Sequence, residues 1–120
     1  MGWVIEYTDE FELWWNGLDE EEQESIDASV ELLIRFGPAL CRPHADQVKA
    51  SRYSNMKELI TQHKGDPYRT LFAFDPRRVA ILLIAGNKGG DKRWYKKIVP
   101  IADRLYAEHL KEIKREADDG

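Results

Sequence analysis

Apolar side chains near the N-terminus first alternate and then recur at helical spacing. Trp3, Ile5 and Tyr7 stand against Val4 and Glu6 as a short strand. Phe11, Trp14, Trp15 and Leu18 then fall at i, i+3, i+4 and i+7, the stripe of an amphipathic helix, with Asp9 and Glu12 as its capping pair. Asp19 and Glu22 repeat that pair ahead of a second stripe, Ile26, Val30, Leu33 and Ile34. Gly37-Pro38 closes the second helix, because glycine accepts the left-handed conformation past a helix end and proline cannot continue the ladder. Residues 38–55 show no period and predict a loop with room for one short strand.

From residue 56 the pattern returns to strands, at 56–61, 68–75 and 79–85. Turns at Lys64-Gly65-Asp66-Pro67 and Asp75-Pro76-Arg77-Arg78 join them, and links this short imply antiparallel neighbours. The run Val79-Ala80-Ile81-Leu82-Leu83-Ile84 is apolar on both faces and is expected as the central, doubly covered strand. Beyond Gly86, Gly89 and Gly90, a helix from about Asp91 carries Ile98, Ile101, Ala102, Leu105 and His109 on one stripe; Pro100 either kinks it or begins a separate helix. The order predicts an α+β layout, an antiparallel sheet with two N-terminal helices and a C-terminal helix packed on one face. The whole is read as one domain, residues 1–120, with a frayed tail at 116–120.

Length and composition narrow the function classes. A chain of 120 residues with 42% hydrophobic content suits one core. No apolar run approaches the ~18–20 residues of a membrane span, and the start lacks the pattern of a signal peptide. Met1-Gly2 is followed by Tyr7 where a myristoylation motif wants Ser or Thr. A cytoplasmic protein without membrane attachment is expected. The single cysteine, Cys41, excludes an internal disulfide, and no ligand-spaced Cys/His cluster suggests a metal site.

The net charge of −4 hides a strong asymmetry. Residues 1–36 hold eleven acids and one base, Arg35, for a net of −10. Residues 37–100 hold thirteen Lys and Arg against five acids, for +8. Fields act over about a Debye length, so an acidic chain can still present a basic face to phosphates. The alternative is that the two halves pair across the fold. The acids at 19–24 also suit the positive end of the second helix.

The stretches that carry chemistry are Met56-Lys57-Glu58-Leu59, Pro67-Tyr68-Arg69-Thr70-Leu71-Phe72-Ala73-Phe74-Asp75-Pro76, Ile81-Leu82-Leu83-Ile84-Ala85-Gly86-Asn87-Lys88, and Arg93-Trp94-Tyr95. Taken in that order they resemble the HigB-type branch of the RelE/ParE toxin superfamily, over residues 3–110 and most strongly over 56–109. The resemblance implies a RelE-like fold and a toxin of a type II toxin–antitoxin pair that cuts mRNA on the ribosome. It implies no metal and no cofactor, and a cognate antitoxin, often a helix-turn-helix protein in this branch. It places Arg69 at the scissile phosphate, Lys88 at the end of the following strand, and Tyr95, or else Trp94, beside the cut.

The residues themselves suit that chemistry. Metal-free RNA cleavage must take a proton from the 2′-hydroxyl, stabilise charge at phosphorus, and return a proton to the leaving oxygen. Arg69 suits the second task, because a guanidinium fork holds two phosphate oxygens and stays charged. Lys88 and Tyr95 can move protons if neighbouring cations lower their pKa values. Lys57 is expected on the Arg69 face, with His63 as a further base. Lys92, Arg93, Lys96 and Lys97 form a basic cluster suited to phosphates, and Trp94 a ring suited to stacking. Against these readings stand a buried Arg69–Asp pair, basic residues that only decorate the surface, and a packed His109. Two positions depart from the family pattern, Ile60 where arginine is common and Asp66 in the turn. They keep open a ParE-like inhibitor that binds a protein such as a topoisomerase, and a relic that no longer cleaves.

Overall fold

The computed structural model describes residues 2–119. Its elements are β1 (Ile5–Tyr7), α1 (Asp9–Asn16), α2 (Glu20–Phe36), a short 3-10 turn (Gly37–Ala39), β2 (Ala45–Gln47), β3 (Lys57–His63), β4 (Asp66–Phe74), β5 (Ala80–Asn87) and α3 (Trp94–Asp119). Local chemistry accounts for most of these boundaries. Asp19 and Glu22 form a reciprocal capping box at the start of α2. α1 is capped by Thr8, not by the expected Asp9: the Thr8 hydroxyl accepts from Phe11 N at 3.0 Å and donates to Leu83 O at 2.6 Å. That second bond ties the helix start to β5. Gly37 ends α2 at φ 56°, with the Trp3 indole filling the space a Cβ would need. Lys64 and Gly65, at φ 49° and 85°, make the two-residue hairpin turn whose twist matches its strands.

The sheet runs β1-β5-β4-β3-β2. Three of its pairings are antiparallel, but β1 lies parallel to β5, so the sheet is mixed and not wholly antiparallel as expected. β4, not β5, holds the central place. A register shift between Leu71 and Phe72 lets the consecutive Leu83 and Ile84 of β5 both pack toward α3.

The helices do not share a face. Phe11 of α1 and Ile26 and Leu33 of α2 pack with Leu59, Tyr68, Phe72 and Leu82 on one side of the sheet. Trp94, Val99, Ala102, Leu105 and Tyr106 of α3 pack with Leu71, Ala73, Ile81 and Leu83 on the other. The one-faced arrangement is therefore corrected to a three-layered one, with both sides of β4 and β5 covered. α3 passes through Pro100 without ending and is helical to Asp119; Gly120 lies outside the described residues. Asp75 anchors its far half: the fully buried carboxylate binds Arg77 at 2.7 Å and His109 at 2.9 Å, joining the β4–β5 turn to the helix. Among the described residues no helix is long and apolar enough to cross a membrane.

Candidate functional site

The start of α3 and the open part of the sheet meet around Arg69. β-alternation and register set what faces it. Arg69 lies opposite Ile60 of β3 and Gly86 of β5, and Glu58, two residues before Ile60, shares its face. Gly86 leaves room for the Trp94 ring, since a Cβ there would come within 3.2 Å of the indole nitrogen. α3 thereby sits close over the sheet and brings Tyr95 to Arg69.

The centre of the site is a carboxylate. Arg69 Nε lies 3.2 Å from Glu58 Oε1, and the Tyr95 hydroxyl donates to the same oxygen at 2.6 Å. Both charged side chains are nearly closed from solvent, at 13% and 11% exposure. Arg69 Nη1 also donates to its neighbour's carbonyl, Tyr68 O, at 2.9 Å. Lys88 places its ammonium 5.8 Å from the centre of the Tyr95 ring, within cation–π range. Burial first, and then the hydrogen bond and charge of Glu58, push the Tyr95 phenol up to about 12, with Arg69 opposing. The expected cation-lowered tyrosine is therefore a tyrosine that holds its proton.

The remaining expected site residues divide. Arg69, Lys88 and Tyr95 come together. Lys92, Arg93 and Lys96 are exposed around the first turn of α3, while Lys97 is paired with Asp91 at 3.0 Å. Trp94 is 8% exposed and belongs to the core over Gly86, so it presents no free ring for stacking. Lys57 is on the opposite face from Arg69, across from Phe72, and its ammonium reaches Pro38 O at 3.3 Å. His63 shares that opposite face and bonds Ser25 Oγ through Nδ1 at 2.7 Å. Neither joins the cluster, because odd-numbered positions of β3 point toward α2. Asp66, by the same alternation, sits with Tyr68 on the α2 side and takes no charge from the Arg69 face.

Sequence reasoning missed Glu58. The signal was present: an acid inside an apolar strand, two residues from Ile60 and so on the Arg69 face. The acidic N-terminal segment lies away from this site. Glu22 accepts from Tyr68 Oη at 2.5 Å and closes the α2 capping box; Glu21 pairs with Lys64. Among the described residues no group of three His, Cys, Asp or Glu could hold a metal ion.

Comparisons with known proteins identify the chain's relatives. The family model described as phage-derived Gp49-like protein matches residues 13–107. The chain is 44% identical over 116 residues to HigB2 of Mycobacterium tuberculosis, a candidate toxin, covering 95% of this chain but 57% of HigB2. It is 46% identical over 94 residues to the candidate toxin HigB3 of the same organism, covering 78% and 81% respectively. The chain thus spans little more than half the length of HigB2. Isolated Escherichia coli RelE toxin superposes with a TM-score of 0.59 at 9% identity, over 82% of this chain and 98% of RelE. RelE in the intact RelBE toxin–antitoxin complex gives 0.54 at 8%, over 70% and 94%. At such identity the RelE likeness establishes the fold alone.

Proposed function

The chain belongs to the Gp49-like family, in the HigB-type branch of the RelE/ParE superfamily, and on that premise we propose that it is the toxin of a type II toxin–antitoxin pair, an endoribonuclease that cuts mRNA on the ribosome without a metal. The observation that supports cleavage most is the convergence of Arg69 and Tyr95 on one oxygen of Glu58, with Lys88 beside the ring. In this reading Glu58 accepts the proton of the 2′-hydroxyl. The 2′-oxygen attacks phosphorus, and the guanidinium of Arg69 turns from Glu58 to the phosphoryl oxygens as their charge grows. The bond to the 5′-oxygen breaks, and that oxygen takes a proton from Tyr95 or Lys88. Held near 12 in this site, the Tyr95 phenol is a weak acid, yet the departing alkoxide is more basic still and can take its proton. The upstream product ends in a 2′,3′-cyclic phosphate.

The partner in this reading is a cognate antitoxin, of helix-turn-helix type, that binds away from RNA on the acidic α1–α2 side. A complex with an antitoxin is what the RelBE structure contains.

A second reading has one observation in its favour. Arg69 is paired with Glu58 at 3.2 Å in a nearly closed site, as a structural ion pair would be. In that case the chain binds a protein target and performs no chemistry. The deciding experiment is induction in bacteria with translation and replication followed separately, alongside purified protein and ribosome-bound mRNA. Early translation arrest with chelator-resistant cleavage and a cyclic phosphate end supports the ribonuclease. Cleavage of a substrate lacking the 2′-hydroxyl at the cut, or replication arrest alone, refutes it.

A further inference from the structure

Between α3 and the loop at residues 48–55 lies an open groove of about 580 Å³ that shares only Tyr95 with the chemistry above. That volume is within the ~300–1,000 Å³ of small-ligand clefts. One wall is the loop itself, carrying Arg52. It is fixed by Asp103, only 9% exposed, whose carboxylate accepts from Ser51 Oγ at 2.5 Å and from Arg52 N at 3.1 Å. Both oxygens of this one acid are occupied in holding the loop. The other wall is a ridge of α3, with Lys96 and Arg104 at the rim and Val99, Pro100 and Ala107 as an apolar floor. Arg104 has only a loose partner, Glu108 at 3.4 Å, and both are about 60% exposed, an arrangement a phosphate displaces readily. Pro100 has no N–H, so it leaves the Lys96 carbonyl without its usual helical donor. The inner end of the groove is Tyr95, the residue that also touches Glu58.

Cations, apolar side chains and an aromatic ring lining one groove are features by which unpaired nucleotides are held. We propose that this groove is a subsite for single-stranded RNA next to the cut, with phosphates at Arg52, Lys96 and Arg104 and a base against Val99, Pro100 and Ala107. The proposal rests on the ribonuclease reading and adds to it the direction of the RNA path: along the flank of α3, not across β3 toward Lys57 and His63. An acidic protein segment would meet the same cations, and the test separates the two.

The test measures binding of two labelled oligoribonucleotides to the full chain, each carrying a 2′-deoxy nucleotide at the cut so that it cannot react. One extends three nucleotides beyond the cut on either side; the other stops at the flanking phosphates. The wild-type chain should bind the longer one at least about tenfold more tightly, near the low end of what one stacked base contributes. Ala107→Trp, which fills the floor, and Arg104→Glu, which reverses the rim, should each reduce that advantage to within about twofold at unchanged melting temperature. Two melting-competent variants guard against a misfolded one. A wild-type chain with no length advantage, or an advantage that survives both substitutions, overturns the subsite, as does groove-dependent binding of an acidic peptide with no RNA effect. Cleavage of ribosome-bound mRNA by the wild type is scored separately. Active enzyme with no groove effect sinks the subsite alone, whereas groove-dependent binding without cleavage sinks only the ribonuclease reading.

Discussion

Replacing Arg69 should cost stability as well as chemistry, and the two can be separated. The Arg69–Glu58 pair is 3.2 Å apart with both side chains about nine-tenths buried. At an effective dielectric constant near 20, the gross attraction at that distance is about 5 kcal/mol. Most of it offsets the desolvation of the two charges, so the pair itself contributes little net stability. Removing only the arginine is different, because a carboxylate then stays in a closed site with Tyr95 as its remaining donor. Breaking buried pairs in this way costs about 3–5 kcal/mol. The surviving tyrosine bond and residual exposure put Arg69→Met at the low end, about 3 kcal/mol. For a domain of this size that is a fall in Tm of roughly 10 °C. The double variant Glu58→Gln/Arg69→Met carries no buried charge and keeps an acceptor for Tyr95, so it should lie within about 1 kcal/mol of wild type. Urea unfolding of the wild type, both single variants and the double variant at pH 7 gives the cycle. A double variant as unstable as Arg69→Met, or a single variant that loses under 1 kcal/mol, would refute the account. Growth arrest by Arg69 variants is meaningful only beside these values: the stable double variant should be wholly non-toxic.

Tyr95→Phe should slow cleavage at least tenfold yet leave the pH profile unchanged through pH 9, because a phenol held near 12 does not titrate there; a lost alkaline limb would contradict the assignment. Glu20→Lys/Glu21→Lys should leave cleavage within about twofold, since α2 packs on the face away from Arg69, and a large loss with the fold intact would move RNA to that face. Ile60→Arg should strengthen cleavage by about tenfold, placing a second guanidinium directly across from Arg69, and unchanged or weaker activity at normal expression counts against a phosphate seated at Arg69. Asp75 supplies an acid-side prediction. Burial raises its pKa, but hydrogen bonds from Arg77, His109 and the Val79 and Arg77 amides win and hold it below the usual aspartate value. A lowered folded value means stability present above the unfolded value near 3.8 and lost as pH falls through the folded one. Asp75→Asn should therefore be less stable at pH 7 and show less further loss between pH 4 and 2; equal acid sensitivity would place the effect elsewhere.

Much of the fold follows from local chemistry that needs no partner. The Asp19–Glu22 box, the glycine after α2 and the Lys64-Gly65 turn act within a few residues, so sequence alone reveals them. The placement of α3 is another kind of fact. Its apolar stripe says that one side is buried, not which face of the sheet buries it. The clue lay in β4, where Leu71 and Ala73 are as apolar as Tyr68 and Phe72, so both faces need cover. Parallel pairing of β1 with β5 joins residues some 75 positions apart, as Ile5 with Ala80, and no local pattern encodes it. The misplaced Lys57 was recoverable. An even-length turn between β3 and β4 puts even-numbered β3 residues on the face of Arg69, which selects Glu58 and Ile60 over Lys57 and His63. Family resemblance drew attention to basic residues, while the acid that organises them stood between Lys57 and Leu59.

The sheet also reconciles an acidic chain with a cationic site. Eleven of the acids fall in residues 1–36, and α1 and α2 lie on the face opposite Arg69. Layers of secondary structure pack about 10 Å apart, close to the Debye length of about 8–10 Å at physiological salt. The potential beside Arg69, on the far side of β4, is therefore set mainly by the nearest charges, Glu58, Arg69, Lys88 and those at the start of α3. The same separation gives each face its own attraction. On the proposed function, phosphates would be drawn to the α3 side, and a basic partner surface to the α2 side. If the proposed antitoxin binds the α2 side, it need not cover Glu58 and Arg69, so its inhibition would have to act on the stability or position of α3.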